Sequence, residues 1–186
     1  MSPLLLCVLA FAGLAALTPK RPAMTPPAPR DPHAALFREI RELYAAMGRA
    51  LGYPLPPLVF STDVANAASD GARILVNPVW VRATLDDHCE DRACGAAIVV
   101  GIIGHELAHH GYGDAFVPRR SWAERRARER RADRYAGFVV SALGLDASHL
   151  EQVLGVPGSC CSRRYDPPWQ RALAVREGAT LAWTNV

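Results

Sequence analysis

No run of apolar side chains in this 186-residue sequence reaches the ~20 residues that a comfortable membrane-spanning helix needs. Lysine is almost missing. Lys20 stands alone and arginine carries the rest of the positive charge, which by itself names no partner. The five cysteines include no C-x-x-C pair, so no paired-cysteine zinc site can be read from them. No internal repeat is visible, so the chain is not an array of stacked units. The net charge of +3 is mild, and half of the residues are hydrophobic, which excludes a disordered chain. The length suits one domain with a proper core.

What is present divides the chain into three parts. Residues 3–17, PLLLCVLAFAGLAAL, are apolar and uncharged and suit the apolar region of a secretory signal. No Lys or Arg precedes them, and Lys20 and Arg21 follow closely. Residues 1–17 therefore read as a cleaved signal peptide or a retained membrane anchor. Either one places the domain outside the cytoplasm, in a periplasm or extracellular space, or attaches it to a membrane through this segment. Cys7 is one more apolar residue there. Residues 18–31 are proline-rich and read as an extended linker. Residues 32–186 form the domain.

Asp31 is placed to cap a helix whose first residue is Pro32. Leu36, Ile40, Leu43 and Met47 recur along it at helical spacing, and Gly52 with three prolines ends it. Residues 57–62 and 72–78 read as strands, the second stopped by Pro78. An apolar helix covers 95–110. Ser121 and Glu124 form a capping box that opens a long helix to about Leu143. Shorter helices cover 146–154 and the stretch after Pro168. The expected fold class is α+β, helix-rich with a small sheet.

Residues 101–113 read GIIGHELAHHGYG. His105 and His109, four apart, project from one face of the helix, one turn from each other. Two neutral imidazoles at that spacing can ligate one Zn²⁺, and Glu106 stands where a general base for a metal-activated water is needed. Ile98, Val99, Val100, Ile102, Ile103 and Leu107 make this a buried helix, where two histidines and a glutamate without a metal or partners would be costly. His110 lies off the ligand face.

Catalytic zinc usually has three protein ligands, so one more is needed. The extended H-E-x-x-H-x-x-G-x-x-H/D form is excluded, because Tyr112 and Ala115 occupy its last two positions while Gly113 and Asp114 miss the register. In SWAERRARERRADRYAGFVV (121–140), Glu129 and Asp133 share the inward stripe with Ala132, Ala136, Val140 and Leu143. A carboxylate on a buried stripe needs a reason. Glu129 as third ligand supplies one, and Asp133 can accept from the far ring nitrogen of a ligand histidine. Glu129 could instead pair with Arg125 or Arg126. Glu124 is the rival ligand, already engaged by its capping position.

H-E-L-A-H (105–109) followed by E-R-R-A-D (129–133) resembles the H-E-x-x-H plus E-x-x-A-D signature of gluzincin metallopeptidases. The group it is most similar to contains the HtpX heat-shock protease and the CAAX prenyl protease. NAASDGARILV (66–76) is similar to that family's N-A-x-x-x-G-G-x-I-x-V edge-strand motif, with Ala72 for a glycine. DPPWQR (166–171) is similar to its C-terminal H-P-P-x-x-x-R, with Asp166 or Tyr165 where the family has histidine. The resemblance spans about residues 35–175 and implies a zincin-like metallopeptidase domain in a minimal version with at most one membrane segment. It implies one Zn²⁺ per chain on His105, His109 and Glu129, with Glu106 as general base. Arg171 or Tyr165 would be the oxyanion donor, and a peptide or protein substrate would be held as an added strand on 72–76. Ile74 and Val76 would lie in that strand, with Asn66 and Ala67 where it starts.

Two features stand beside this. Cys89, Cys94, Cys160 and Cys161 could form two disulfides in an exported chain, either through a local Cys89–Cys94 bridge or through bridges to the 160–161 pair. Residues 119–134 hold eight arginines, read as the solvated back of an amphipathic helix rather than a nucleic-acid surface, since no aromatic interleaving accompanies them. Two functions follow: a zinc endopeptidase, or a non-catalytic zinc-fold module that binds or chaperones in the cell envelope. Glu106 argues for the first, and the missing family histidine near Asp166 argues for the second.

Overall fold

The structure, a computed structural model, describes residues 33–118, 121–155 and 165–184. The apolar N-terminal segment, the proline-rich linker, Asp31, Pro32, Cys160 and Cys161 lie outside the described residues. Helix α1 (Ala34–Leu51) starts two residues past the expected position, with His33 at its N-cap. It buries Leu36, Ile40 and Met47, the residues its helical spacing selects. It stops at Gly52, whose φ of 72° turns its N–H onto the Gly48 carbonyl at 3.1 Å.

Three short strands follow: β1 (Leu58–Phe60), β2 (Ala67–Ser69) and β3 (Ile74–Val76). The order is β1-β3-β2, with β1 parallel and β2 antiparallel to β3; Leu75 lies between Val59 and Ala68. This corrects the expected substrate strand. β3 is central and hydrogen-bonded along both edges, and Ile74 and Val76 are 0% and 1% exposed, so 72–76 cannot accept another chain. The outer strand on that side is β2. It escaped the sequence reading because Ala-Ala-Ser carries no β-branched or aromatic side chain.

Helix α2 (Pro78–His88) was also not foreseen, because Pro78 reads as a strand stop. It is equally a helix start. The Asn77 side chain accepts from the N–H groups of Val79 and Trp80 at 3.0 and 3.2 Å, and proline suits the first turn. Helix α3 (Arg92–Gly111) is capped by Asp91, which accepts from the Cys94 N–H at 2.8 Å. A Cys89–Cys94 disulfide joins the end of α2 to the first turn of α3, with the Cα atoms 5.5 Å apart. For these two cysteines the local pairing holds and the bridge to the tail does not.

Helix α3 runs through the core and buries Ala97, Ile98, Val100 and Ile103. Helix α4 (Trp122–Ala142) opens as its capping box requires, with Ser121 Oγ accepting from the Glu124 N–H at 3.1 Å. Helices α5 (Ser148–Gly155) and α6 (Pro168–Thr184) complete a helix-rich α+β fold. Glycines bring α4 within reach of both neighbours. A Cβ on Gly104 would lie 3.3 Å from Ala136 Cα, and one on Gly137 would collide with the Val175 carbonyl of α6. The α4–α6 seam is therefore nearly backbone on backbone.

Replacing Gly137 with alanine should cost ~1–3 kcal/mol, because the collision is with backbone that cannot swing aside. Gly111→Ala, where a Cβ meets nothing within 4 Å, should be neutral or gain up to ~1 kcal/mol. Urea unfolding of the two variants checks the contrast; equal effects would mean that the seam is looser than described.

Candidate metal centre

Helices α3 and α4 cross where both carry polar groups on otherwise apolar faces. His105 and His109 leave α3 on the same side, and their Nε2 atoms are 3.1 Å apart. Glu129, 4% exposed on the inward stripe of α4, sends its Oε2 to 3.3 Å from His105 Nε2 and 3.5 Å from His109 Nε2. Glu124 is exposed in the first turn of α4. The structure thus brings together His105, His109 and Glu129, as a set able to hold a metal ion.

The opposite ring nitrogens fix the tautomers. His105 Nδ1 lies 2.9 Å from Asp133 Oδ1, and His109 Nδ1 lies 2.8 Å from Asp114 Oδ2. An ionised carboxylate only accepts, so each Nδ1 carries a hydrogen and donates it. In the neutral rings both Nε2 atoms then bear lone pairs, aimed at each other and at a carboxylate oxygen. Three such atoms this close require positive charge among them. In a tetrahedral centre with bonds of ~2.0–2.1 Å, neighbouring ligand atoms lie about 3.3 Å apart. The three separations of 3.1, 3.3 and 3.5 Å fit that demand without rearrangement.

Each supporting carboxylate is itself held. Asp133, 0% exposed, receives the Arg171 guanidinium through Nε and Nη2, both at 2.8 Å. Burial alone would raise the Asp133 pKa, but the bonds from Arg171 and His105 overcome it and keep the carboxylate ionised. Asp114 receives Arg131 Nη2 at 2.9 and 3.2 Å, and Arg131 also lies over the Tyr112 ring. Asp114 was excluded as a ligand by its register, and its role behind His109 was missed. The signal was a lone acid in the turn just beyond the ligand helix.

Arg171 requires a correction. It was expected as an oxyanion donor, but two of its nitrogens are engaged by Asp133, behind His105, which makes it a clamp on the centre. Asp166 turns away from the site and pairs with Arg130 at 2.8 Å. Tyr165 lines the open side and carries the Arg171 guanidinium over its ring, 4.8 Å from the centroid. The two candidates for the family's histidine position therefore separate: Tyr165 faces the cleft and Asp166 anchors the segment to α4. His110, off the ligand face, places Nδ1 3.5 Å from Ser69 Oγ of β2.

The centre opens into a cavity of about 680 Å³. Glu106 and Tyr165 line it, as do Asn66, Ala67 and the rest of β2. The candidate base thus shares one cleft with the metal-binding set and the outer strand. No family model, curated protein or solved structure matches the chain.

Without a metal, a proton takes its place. Burial would lower the His105 pKa, but the hydrogen bonds to Asp133 and Glu129 and the nearby Asp133 and Glu106 charges overcome it and raise it to about 10. Metal uptake at Nε2 must displace that proton. Apparent metal affinity should therefore rise about tenfold per pH unit between ~6.5 and ~10, as followed by chelator competition. The metal-free domain should behave in the opposite sense. The folded-state pKa is raised, so the His105 contribution to stability is full below ~6.5 and lost as pH rises through ~10. An affinity independent of pH over that window would place the metal elsewhere. In the same assay Asp114→Asn should weaken binding ~10–100-fold, matching Asp133→Asn; an Asp114→Asn protein that binds like wild type would show that the turn does not hold His109.

Proposed function

We propose that this chain is a zinc-dependent endopeptidase of gluzincin type on a zincin-like domain. One observation carries the reading. Three ligand atoms spaced for a tetrahedral metal open into the same cleft as a glutamate base and an outer β-strand. His105, His109 and Glu129 would hold the ion, while Asp133 and Asp114 orient the two imidazoles. Zinc bound there would supply Lewis acidity to a water and to a peptide carbonyl.

The chain's own residues do the rest. The Glu106 carboxylate takes the proton of the attacking water and returns it to the leaving nitrogen. The outer edge of β2, which pairs with no other strand among the described residues, takes the substrate backbone, so that an extended peptide crosses the centre as a fourth strand. Asn66 and Ala67 then stand at the start of that edge. Tyr165, which lines the cleft, is the residue we assign to the oxyanion charge.

The setting we favour is outside the cytoplasm or at a membrane, on the apolar segment 3–17 and the Cys89–Cys94 bridge. Among the described residues no helix is long and apolar enough to cross a membrane. The arginines of α4 argue against a nucleic-acid partner, because Arg128, Arg130, Arg131 and Arg134 are paired with Asp114, Asp166 and Glu177.

Metal analysis of the purified protein should find about one zinc per chain. Casein cleavage should fall ~10²–10⁴-fold in Glu106→Gln with zinc content unchanged, the range a general base contributes. A wild-type protein that holds its zinc and cleaves nothing would favour the non-catalytic binding module instead.

A further inference from the structure

Four of the nine large hydrophobic side chains that stand exposed among the described residues belong to the turn between α3 and α4 and its flanks. They are Tyr112, Phe116, Val117 and Trp122, and Phe116, at 75%, is the most exposed of the nine. An apolar surface cluster of this kind marks an interaction site. The turn that presents it is held in place. Gly113, at φ 64°, reverses the chain. The Asp114 N–H donates to the His109 carbonyl at 2.9 Å, and the Phe116 N–H donates to the Gly113 carbonyl at 3.0 Å. Arg128 of α4 donates to the Val117 and Pro118 carbonyls at 3.3 and 3.4 Å. The Phe116 ring also closes over Gly71, where a Cβ would collide with it.

The charge around the turn is positive. Asp114 faces two guanidinium groups, Arg131 at 2.9 Å and Arg128 at 3.8 Å. Asp166 likewise faces Arg130 at 2.8 Å and Arg126 at 3.7 Å. Each of these carboxylates leaves one positive charge uncompensated. Arg125 offsets the charge of Glu124, and Arg73 offsets Asp70 beside Gly71. Two of the rings lie under cations: Arg131 is 3.6 Å from the Tyr112 centroid and Arg125 is 5.8 Å from that of Trp122. Exposed aromatics beside long cationic side chains suit the boundary between lipid headgroups and acyl chains.

We propose that this turn is a docking surface for an anionic lipid bilayer, with Phe116 and Val117 entering the interface and Tyr112 and Trp122 lying at headgroup level. Attraction to such a surface needs net positive charge within a Debye length, ~8–10 Å, and pairing of the individual arginines does not remove it. A nucleic-acid strand would instead need guanidinium donors for its phosphates, and those of Arg128, Arg130 and Arg131 are engaged by carbonyls and carboxylates. Val117 offers no ring on which a base could stack. The docking surface is separate in sequence from the apolar segment 3–17 and needs neither metal nor substrate. Alone it gives reversible attachment, because stable anchoring takes two signals. Asp114 and Ala115 of the same turn line the cleft, so docking holds its rim at the membrane surface.

The test uses the full chain with vesicles of phosphatidylcholine, alone or mixed with phosphatidylglycerol. Anionic vesicles should bind about 10–30-fold tighter than neutral ones, and raising the salt should remove that gain. Backbone hydrogen exchange over residues 112–122 should slow in the bound protein. Phe116→Ser and Val117→Asp should each weaken binding about tenfold and restore the exchange. Val117→Asp leaves the Phe116 contact on Gly71 alone, so the outcome does not hang on one variant folding. Binding that neither variant moves, or a bound protein whose turn exchanges as fast as the free one, would assign the membrane contact to the apolar segment and overturn the proposal. Slowed exchange at this turn with a single-stranded oligonucleotide, but not with anionic vesicles, would overturn it in favour of nucleic acid.

Discussion

Two imidazole nitrogens and a carboxylate oxygen, 3.1 to 3.5 Å apart and each presenting a lone pair, cannot share a buried space without positive charge between them. Much of the structure around them makes sense as the apparatus that holds this arrangement. Asp133 and Asp114 deny the outer ring nitrogens any alternative, and arginines hold those acids in place. The chain has invested in both histidines, not one. Each is backed by a carboxylate, and each carboxylate by a guanidinium, the two chains drawing on different parts of the fold. A proton on His105 or a metal ion satisfies the centre.

The helices of this fold were legible because their apolar residues repeat at helical spacing and their starts carry capping residues. The His105, His109 and Glu129 set was legible for a related reason: carboxylates on an inward stripe contradict the pattern around them, and a contradiction of that kind points to chemistry. Asp133 followed from the same stripe. Asp114 did not, since its link to His109 runs through a turn whose course no periodicity encodes. Strand order is likewise absent from a linear pattern. Ile74 and Val76 read correctly as a strand, but nothing in Ala67–Ser69 announced that a third strand would take the outer edge. Asn77-Pro78 showed the ambiguity of a single signal, ending a strand and starting a helix at once.

The contribution of α5 to the cleft could not be read at all, because Leu150, Val153 and Leu154, which line it, look like any short amphipathic helix. Their place in the cleft depends on Gly101, which is one small residue in a long apolar run. Its significance is the absence of an atom, and only the packing of Leu150 against it shows what that absence permits.

The Arg171 clamp has a consequence for timing. The metal-binding residues come from α3 and α4, but the guanidinium that holds Asp133 ionised comes from α6, later in the chain. A polypeptide emerging from its N-terminus presents the histidines and Glu129 to its surroundings before that arginine is free to reach Asp133. Until α6 settles against Gly137, Asp133 lacks the Arg171 guanidinium that holds it behind His105. Maturation of the centre is therefore linked to completion of the fold. A partly emerged chain would carry the ligands without the poised site.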